Sequence, residues 1–155
     1  MKSVVITGAS TGIGYSASEI LVKSGYHVFG SVRNKEDEKK LKKLFGEQFT
    51  ALLFDVRDEK AISDSVRVVE EKLGSNGKLI ALVNNAGIAL GGPSIELPVS
   101  VFEKQFEVNL MGVVRVTNAY AKLLGAYRGS SHQGKIINIS SVSGKRAFPF
   151  IAPYT

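Results

Sequence analysis

The chain has 155 residues, with 20 Lys plus Arg against 14 Asp plus Glu, two His, no Cys and no Trp. That length suits one domain of ordinary size, and 44% hydrophobic with 22% charged residues is a globular composition, not a disordered one. The lack of Cys excludes a disulfide scaffold and any thiolate metal or redox site, and two His, at 27 and 132, exclude a histidine-rich centre, so no metal is expected.

No apolar run approaches the ~18 residues of a membrane span. Met1-Lys2-Ser3 passes directly into a short apolar run and Gly8, with no signal-peptide core; a soluble, cytoplasmic chain is expected. The net charge of +6 is uneven: residues 1–108 hold 14 basic and 14 acidic side chains, whereas 109–155 hold Arg115, Lys122, Arg128, Lys135, Lys145 and Arg146 and no acid. Those six are spaced singly, without aromatic interleaving, and no nucleic-acid partner is expected.

In chain order, Ser3 to Ile6 is a β-branched run ending in a glycine-rich turn. Ile13, Ala17, Ile20, Leu21 and Ser24 follow helical spacing, with Gly25 as the stop. Tyr26 to Gly30 reads as a second strand. Glu36 to Phe45 is a charged helix with Leu41, Leu44 and Phe45 as its apolar stripe. Phe49 to Phe54 is a third strand, and Asp58 opens a helix to Leu73 that places Ile62, Val66, Val69 and Leu73 on one face. Lys78 to Asn84 is a fourth strand whose continuous apolar character predicts burial on both sides. One long helix is predicted from Val99 to Leu124, then a fifth strand from Lys135 to Ile139. Strands alternating with helices imply right-handed crossovers and a doubly wound parallel α/β sheet, one domain over 1–155, with ligands bound beyond the carboxyl ends of the strands.

Two segments at such strand ends carry chemistry. Thr7-Gly8-Ala9-Ser10-Thr11-Gly12-Ile13-Gly14 joins the first strand to the first helix, where glycines let backbone amides approach a pyrophosphate at a helix N-terminus. Asn84-Asn85-Ala86-Gly87 closes the fourth strand, with two side-chain amides able to tie neighbouring backbones and a small pair leaving room for a ribose.

Together with Asn109 in Val108-Asn109-Leu110, with Ser140-Ser141, and with Tyr154 thirteen residues after Ser141, these segments resemble the short-chain dehydrogenase/reductase family, in the family's order. Asp55-Val56 after the third strand matches that family's adenine-side contact. The resemblance implies an oxidoreductase moving hydride between NAD(P) and an alcohol or carbonyl carbon. Tyr154 would be its proton-transferring acid/base and Ser141 the hydrogen-bond donor to the substrate oxygen. Asn109 would kink the long helix and anchor a water. It implies a cofactor site of Gly8, Ser10, Thr11, Gly12, Ile13, Gly14, Ser31, Arg33, Asp55, Val56, Asn85, Ala86 and Gly87. A phenol, with an ordinary pKa near ~10, needs a nearby cation to act as a base at neutral pH. In the family that cation is a Lys four residues after the Tyr, at a position beyond Thr155. The resemblance further implies strand order 3-2-1-4-5 with two later strands outside this chain, a bare fifth-strand edge prone to association, a homo-oligomeric parent, and no turnover by these 155 residues alone. The alternative is a dinucleotide-binding module without catalysis.

For the choice of dinucleotide, about 20 residues past the glycine-rich turn a carboxylate would bind a ribose 2′-OH. Gly30-Ser31-Val32-Arg33 stands there, with no acid and one guanidinium whose planar fork suits phosphate oxygens. NADP is therefore expected over NAD, although Glu36, Asp37 and Glu38 follow closely. Leu90 to Pro93 with Phe148-Pro149-Phe150 either line an apolar pocket, which would suit a hydrophobic alcohol or ketone, or serve core packing and subunit contact.

Overall fold

Val4, Val5 and Ile6 send side chains alternately to the two faces of a strand, and both faces are buried. That pattern repeats through the computed structural model, which describes residues 2–75 and 77–155. Five parallel strands, β1 (Lys2–Ile6), β2 (His27–Val32), β3 (Phe49–Leu53), β4 (Lys78–Asn84) and β5 (Lys135–Asn138), form one sheet in the order β3-β2-β1-β4-β5. Helices α1 (Gly12–Lys23) and α2 (Lys35–Phe45) cover one face; α3 (Glu59–Leu73), α4 (Val99–Phe106) and α5 (Gly112–Tyr120) lie on the other side. The result is the doubly wound α/β architecture expected from the alternation of runs, with two cores, one on each face.

The first core packs Val4, Ile6, Val28 and Phe49 against Leu41 and the inner side of α1; the second packs Val5, Phe29 and Leu82 against Ile62, Val69, Val116 and Tyr120. Within the second, the Tyr120 hydroxyl lies 2.7 Å from Ser65 Oγ, which itself donates to the Ile62 carbonyl, so α5 is tied to α3 through a buried polar link. Burial pushes the Tyr120 phenol up to about 12.

Several elements depart from the sequence-based reading. β2 runs two residues past Gly30 because Ser31 and Val32 pair in register with Leu52 and Leu53. Gly30 stands inside the strand because the Phe49 ring and Ala9 fill the space where its side chain would be. The buried face of α1 is Gly14 and Ser18, while Ile13 and Ile20 are 64% and 63% exposed. Leu44 of the expected α2 stripe is also exposed, leaving Leu41 as the buried residue of that helix. The single helix predicted over 99–124 is two α-helices joined by a π-turn at Glu107–Met111, and it ends at Tyr120, with turns from there to Gly125. Every residue of β5 is exposed, including Ile136 at 48% and Ile137 at 44%, as a sheet edge. Arg115, counted among the basic residues of 109–155, is committed to Glu59 at 3.2 Å and Glu107 at 2.9 Å, bridging α3, the π-turn and α5. No helix among the described residues is long and apolar enough to cross a membrane.

Candidate functional site

Thr7, at the carboxyl end of β1, is the knot that holds two glycine-containing loops together. Its Oγ1 accepts from the backbone N–H of Asn85 and of Ala86, both at 2.9 Å. In return the Asn85 side-chain amide donates to the carbonyls of Thr7 at 2.9 Å and Gly8 at 3.1 Å. The β1–α1 turn is also fixed to β2: the Gly8 N–H donates to Ser31 Oγ at 2.9 Å and the Ala9 N–H to the Ser31 carbonyl at 2.9 Å. Ser31 is 3% exposed, so its first task is to lock the turn.

α1 then enters at close range. A side chain at Gly14 would run into the Gly8 carbonyl and lie 2.5 Å from Asn85 Nδ2. At the head of α1, Thr11 is the N-cap but its side chain makes no capping bond, and the first turn holds no acid. The leading amides of this helix are thus left for an outside acceptor, the arrangement that favours an anion.

These loops, with the ends of β2 and β3, enclose a cavity. Of the residues predicted to bind a cofactor, Gly8, Ser10, Thr11, Ile13, Ser31, Arg33, Asp55, Val56, Asn85, Ala86 and Gly87 line it. Gly12 and Gly14 do not: Gly12 is exposed as the first residue of α1, and Gly14 is buried further along it, where α1 seats on Gly8 and Asn85. Glu36, Asp37 and Glu38 are absent from the lining; Asp37 accepts from the Asn34 side-chain amide at 2.9 Å within the α2 cap. Among the described residues no carboxylate pairs with Arg33.

Asp55 carries more structure than its place in a motif suggested. The Arg57 backbone N–H and Nε both donate to Asp55 Oδ1 at 2.9 Å, and Nη2 donates to Oδ2 at 2.8 Å. The Arg57 guanidinium holds the Asp55 carboxyl below the usual carboxylate range; burial works against this, and Arg33 adds a smaller pull in the same direction as Arg57. Arg57 and Lys104 also line the cavity and were not singled out from the sequence. Their cationic type was a signal, but neither the turn that holds Arg57 nor the placing of the expected helix that turns Lys104 toward the cavity follows from spacing.

A second cavity shares Ile13, Asn85, Ala86, Gly87 and Ile88 with the first and continues to Asn109, Ser140, Ser141 and Tyr154. Asn109 lies in the π-turn, and its amide clasps one residue: Nδ2 donates to the Ile88 carbonyl at 2.8 Å and Oδ1 accepts from the Ile88 N–H at 2.9 Å. Ser141 caps a short 3-10 turn, its Oγ accepting from the Ser143 N–H at 3.2 Å. Tyr154 closes another 3-10 turn, Ala152–Tyr154. That last segment is pinned by the Gly92 N–H donating to the Phe150 carbonyl at 2.6 Å, with Phe150 at a φ of 64°. Of the two readings of these residues the structure agrees with packing: neither Leu90 to Pro93 nor Phe148 to Phe150 lines the second cavity, and Phe150 is 67% exposed. They brace each other instead.

A parallel sheet of this order, with a glycine-rich turn and a conjoined pair of cavities beyond the strand ends, defines a Rossmann-type dinucleotide-binding domain. The short chain dehydrogenase family profile matches residues 2–155, and the chain belongs to that family. It is 39% identical over 155 residues to an NADPH-dependent 3-dehydrocapnine reductase of Ornithobacterium rhinotracheale, covering all of this chain and 54% of that protein. Among solved structures it is similar to ElxO with NADP bound, at 31% identity and a TM-score of 0.86, over 99% of this chain and 60% of that one. It is likewise similar to an actinorhodin polyketide ketoreductase variant with NADPH, at 34% identity and a TM-score of 0.87, over 99% of this chain and 58% of that one. The chain spans about half the length of the curated relatives it matches.

Proposed function

We propose that this chain is the dinucleotide-binding part of an oxidoreductase that moves a hydride between NADP(H) and an alcohol or carbonyl carbon, with NAD the less favoured cofactor. The observation that carries the reading is the pair of joined cavities. One is lined by the glycine-rich turn and Arg33; the other holds Asn109, Ser141 and Tyr154.

The residues present fit such a cofactor. The uncapped head of α1 suits the pyrophosphate. Arg33, with no carboxylate partner among the described residues, suits a 2′-phosphate by its planar fork. Asp55 is already matched in charge by Arg57, so it opposes that phosphate little. The NADPH dependence of the Ornithobacterium rhinotracheale reductase and the NADP and NADPH held by the two solved relatives point the same way.

When bound, the nicotinamide supplies the hydride acceptor or donor. The chain's own groups do the rest. In the oxidation direction, the substrate carbon gives up its hydride as the hydroxyl proton passes to the Tyr154 oxygen, which enters the step as phenolate and leaves it as phenol; in reduction both transfers reverse. The Ser141 hydroxyl donates to the substrate oxygen, where charge develops. Asn109, locked on Ile88, fixes the floor between the two cavities. The substrate is a small alcohol or ketone, and the complete protein a homo-oligomer.

The test follows the appearance of reduced nicotinamide by absorbance in the complete protein, with a panel of hydrophobic alcohols. Tyr154→Phe should lower kcat by at least about a hundredfold, the general range for acid–base catalysis, with cofactor affinity unchanged. Undiminished turnover in that variant would remove Tyr154 from the chemistry.

A further inference from the structure

Gln105 is the buried residue of α4, 2% exposed, at a place where an apolar side chain would pack as well. Its Oε1 accepts from the Leu90 N–H at 2.8 Å, while its Nε2 meets no partner among the described residues. A buried donor left unmet lowers stability, so packing alone does not account for a glutamine here. What the amide holds is a path of backbone. Leu90 leads into Gly91 and Gly92, and Gly92 both donates its N–H to the Phe150 carbonyl at 2.6 Å and pairs with Ile151 in a one-residue parallel bridge. The Ile151 carbonyl in turn accepts from the Tyr154 N–H at 2.8 Å.

We propose that Gln105 is a positioning residue for Tyr154. From inside α4 it sets the place of Leu90 and, through Gly92 and Ile151, the place of the phenol at the second cavity. This rests on the oxidoreductase reading given above and adds to it a residue that lines neither cavity.

Each joint of this path is tight. A side chain at Gly91 would lie 2.5 Å from the Phe150 carbonyl oxygen, so the two segments run in direct contact. Phe150 itself holds a φ of 64°, a left-handed conformation that a residue with a side chain keeps only where its surroundings impose it. α4 also packs against the Ala152–Tyr154 turn. Asn109, four residues beyond Gln105, clasps Ile88, so one helical run grips the loop at two nearby points. The Asn109 clasp sets the floor between the cavities, and the Gln105 bond carries on to Tyr154. Proton transfer depends on such placing, because a displacement of about 1 Å costs on the order of a hundredfold in rate.

The experiment measures kcat, the dissociation constant of NADP and the melting temperature in the complete protein and its variants. Gln105→Met fills the same space without the acceptor. It should lower kcat at least about tenfold, the worth of one hydrogen bond, with NADP affinity and melting temperature little changed. Gln105→Glu keeps an acceptor oxygen and gives up only the unused donor, so it should recover kcat to within about threefold of the unsubstituted protein. Gly91→Ala presses on Phe150 from the middle of the path and should lower kcat in the same pattern. Combined with Gln105→Met, its loss should not exceed that of the larger single change, as for residues that act through one contact. This arm stands by itself if Gln105→Glu does not fold. Undiminished kcat in Gln105→Met overturns the inference, and so does a loss matched by weaker NADP binding or a fall in melting temperature. A folded Gln105→Glu as slow as Gln105→Met, or losses that add in the double variant, overturn it too. Those outcomes leave the oxidoreductase reading standing, because the unsubstituted protein still turns over. No turnover by the unsubstituted protein on any alcohol of the panel contradicts that reading and takes the inference with it.

Discussion

His27 is 4% exposed on β2, with Nε2 2.9 Å from Thr50 Oγ1 and its ring 4.7 Å from that of Phe29. Burial lowers its pKa, nearby Lys72 adds to the effect, and Glu47 opposes it weakly. The folded chain therefore takes up this proton less readily than the unfolded one. Stability from the neutral ring is fully present above the unfolded value near ~6.5. It is lost as pH falls from there through the lower folded value, with a slope of at most about 1.4 kcal/mol per pH unit for one proton. His27→Gln keeps a hydrogen-bonding group and removes the titration, so melting temperatures taken across that window should lose this part of their pH slope. An identical slope in the variant would show that the acid sensitivity resides elsewhere. From sequence, this residue entered only as one of too few histidines for a metal site. Its neighbours come from β3, and long-range pairing of that kind leaves no local trace.

Helix α1 shows how a periodic pattern can be right about an element and only half right about its face, since Ala17 and Leu21 of the expected stripe pack against the core. Ile13 and Ile20 point outward, and the helix meets the sheet most closely at Gly14 and Ser18, flanked by the half-buried Ala17 and Leu21. Close approach is what the site requires, since it brings the amides at the helix head beside the β1–α1 turn. Any added side chain works against it. Gly14→Val should force α1 away from Gly8 and Asn85, costing about 1–3 kcal/mol as an overpacked contact. It should also weaken dinucleotide binding more than tenfold, read by thermal melting and by titration. A variant of unchanged stability and affinity would mean the helix has room to spare. The π-turn at Glu107–Met111 was invisible to periodicity, since apolar spacing before and after it remains helical, and only the resemblance, with its kink at Asn109, pointed to it.

For the whole molecule, the parallel sheet was legible because buried strands read as continuous apolar runs and the intervening helices end at glycines, whereas its strand order was implied only by the family resemblance. The glycine-rich turn and the Asn85-Ala86-Gly87 loop were legible too, since each follows a strand. The Arg57 fork, the Thr7 knot and the bracing of Gly92 against Phe150 were not. Each is a tertiary hydrogen bond or a two-residue turn contact, and neither follows a helical or strand period. Charge was also misleading at this scale: Arg115, one of six cations in an acid-free segment, is matched by Glu59 and Glu107 from earlier in the chain. What joins fold to function is a cation at the end of β2 facing a cavity beyond the sheet. The most direct measurement is therefore a titration of the complete protein, and of its Arg33→Asp variant, with NADP and with NAD. Preference for NADP in the unsubstituted protein and its reversal or loss in the variant is the predicted result; an unchanged preference, or no binding of either dinucleotide, would contradict it.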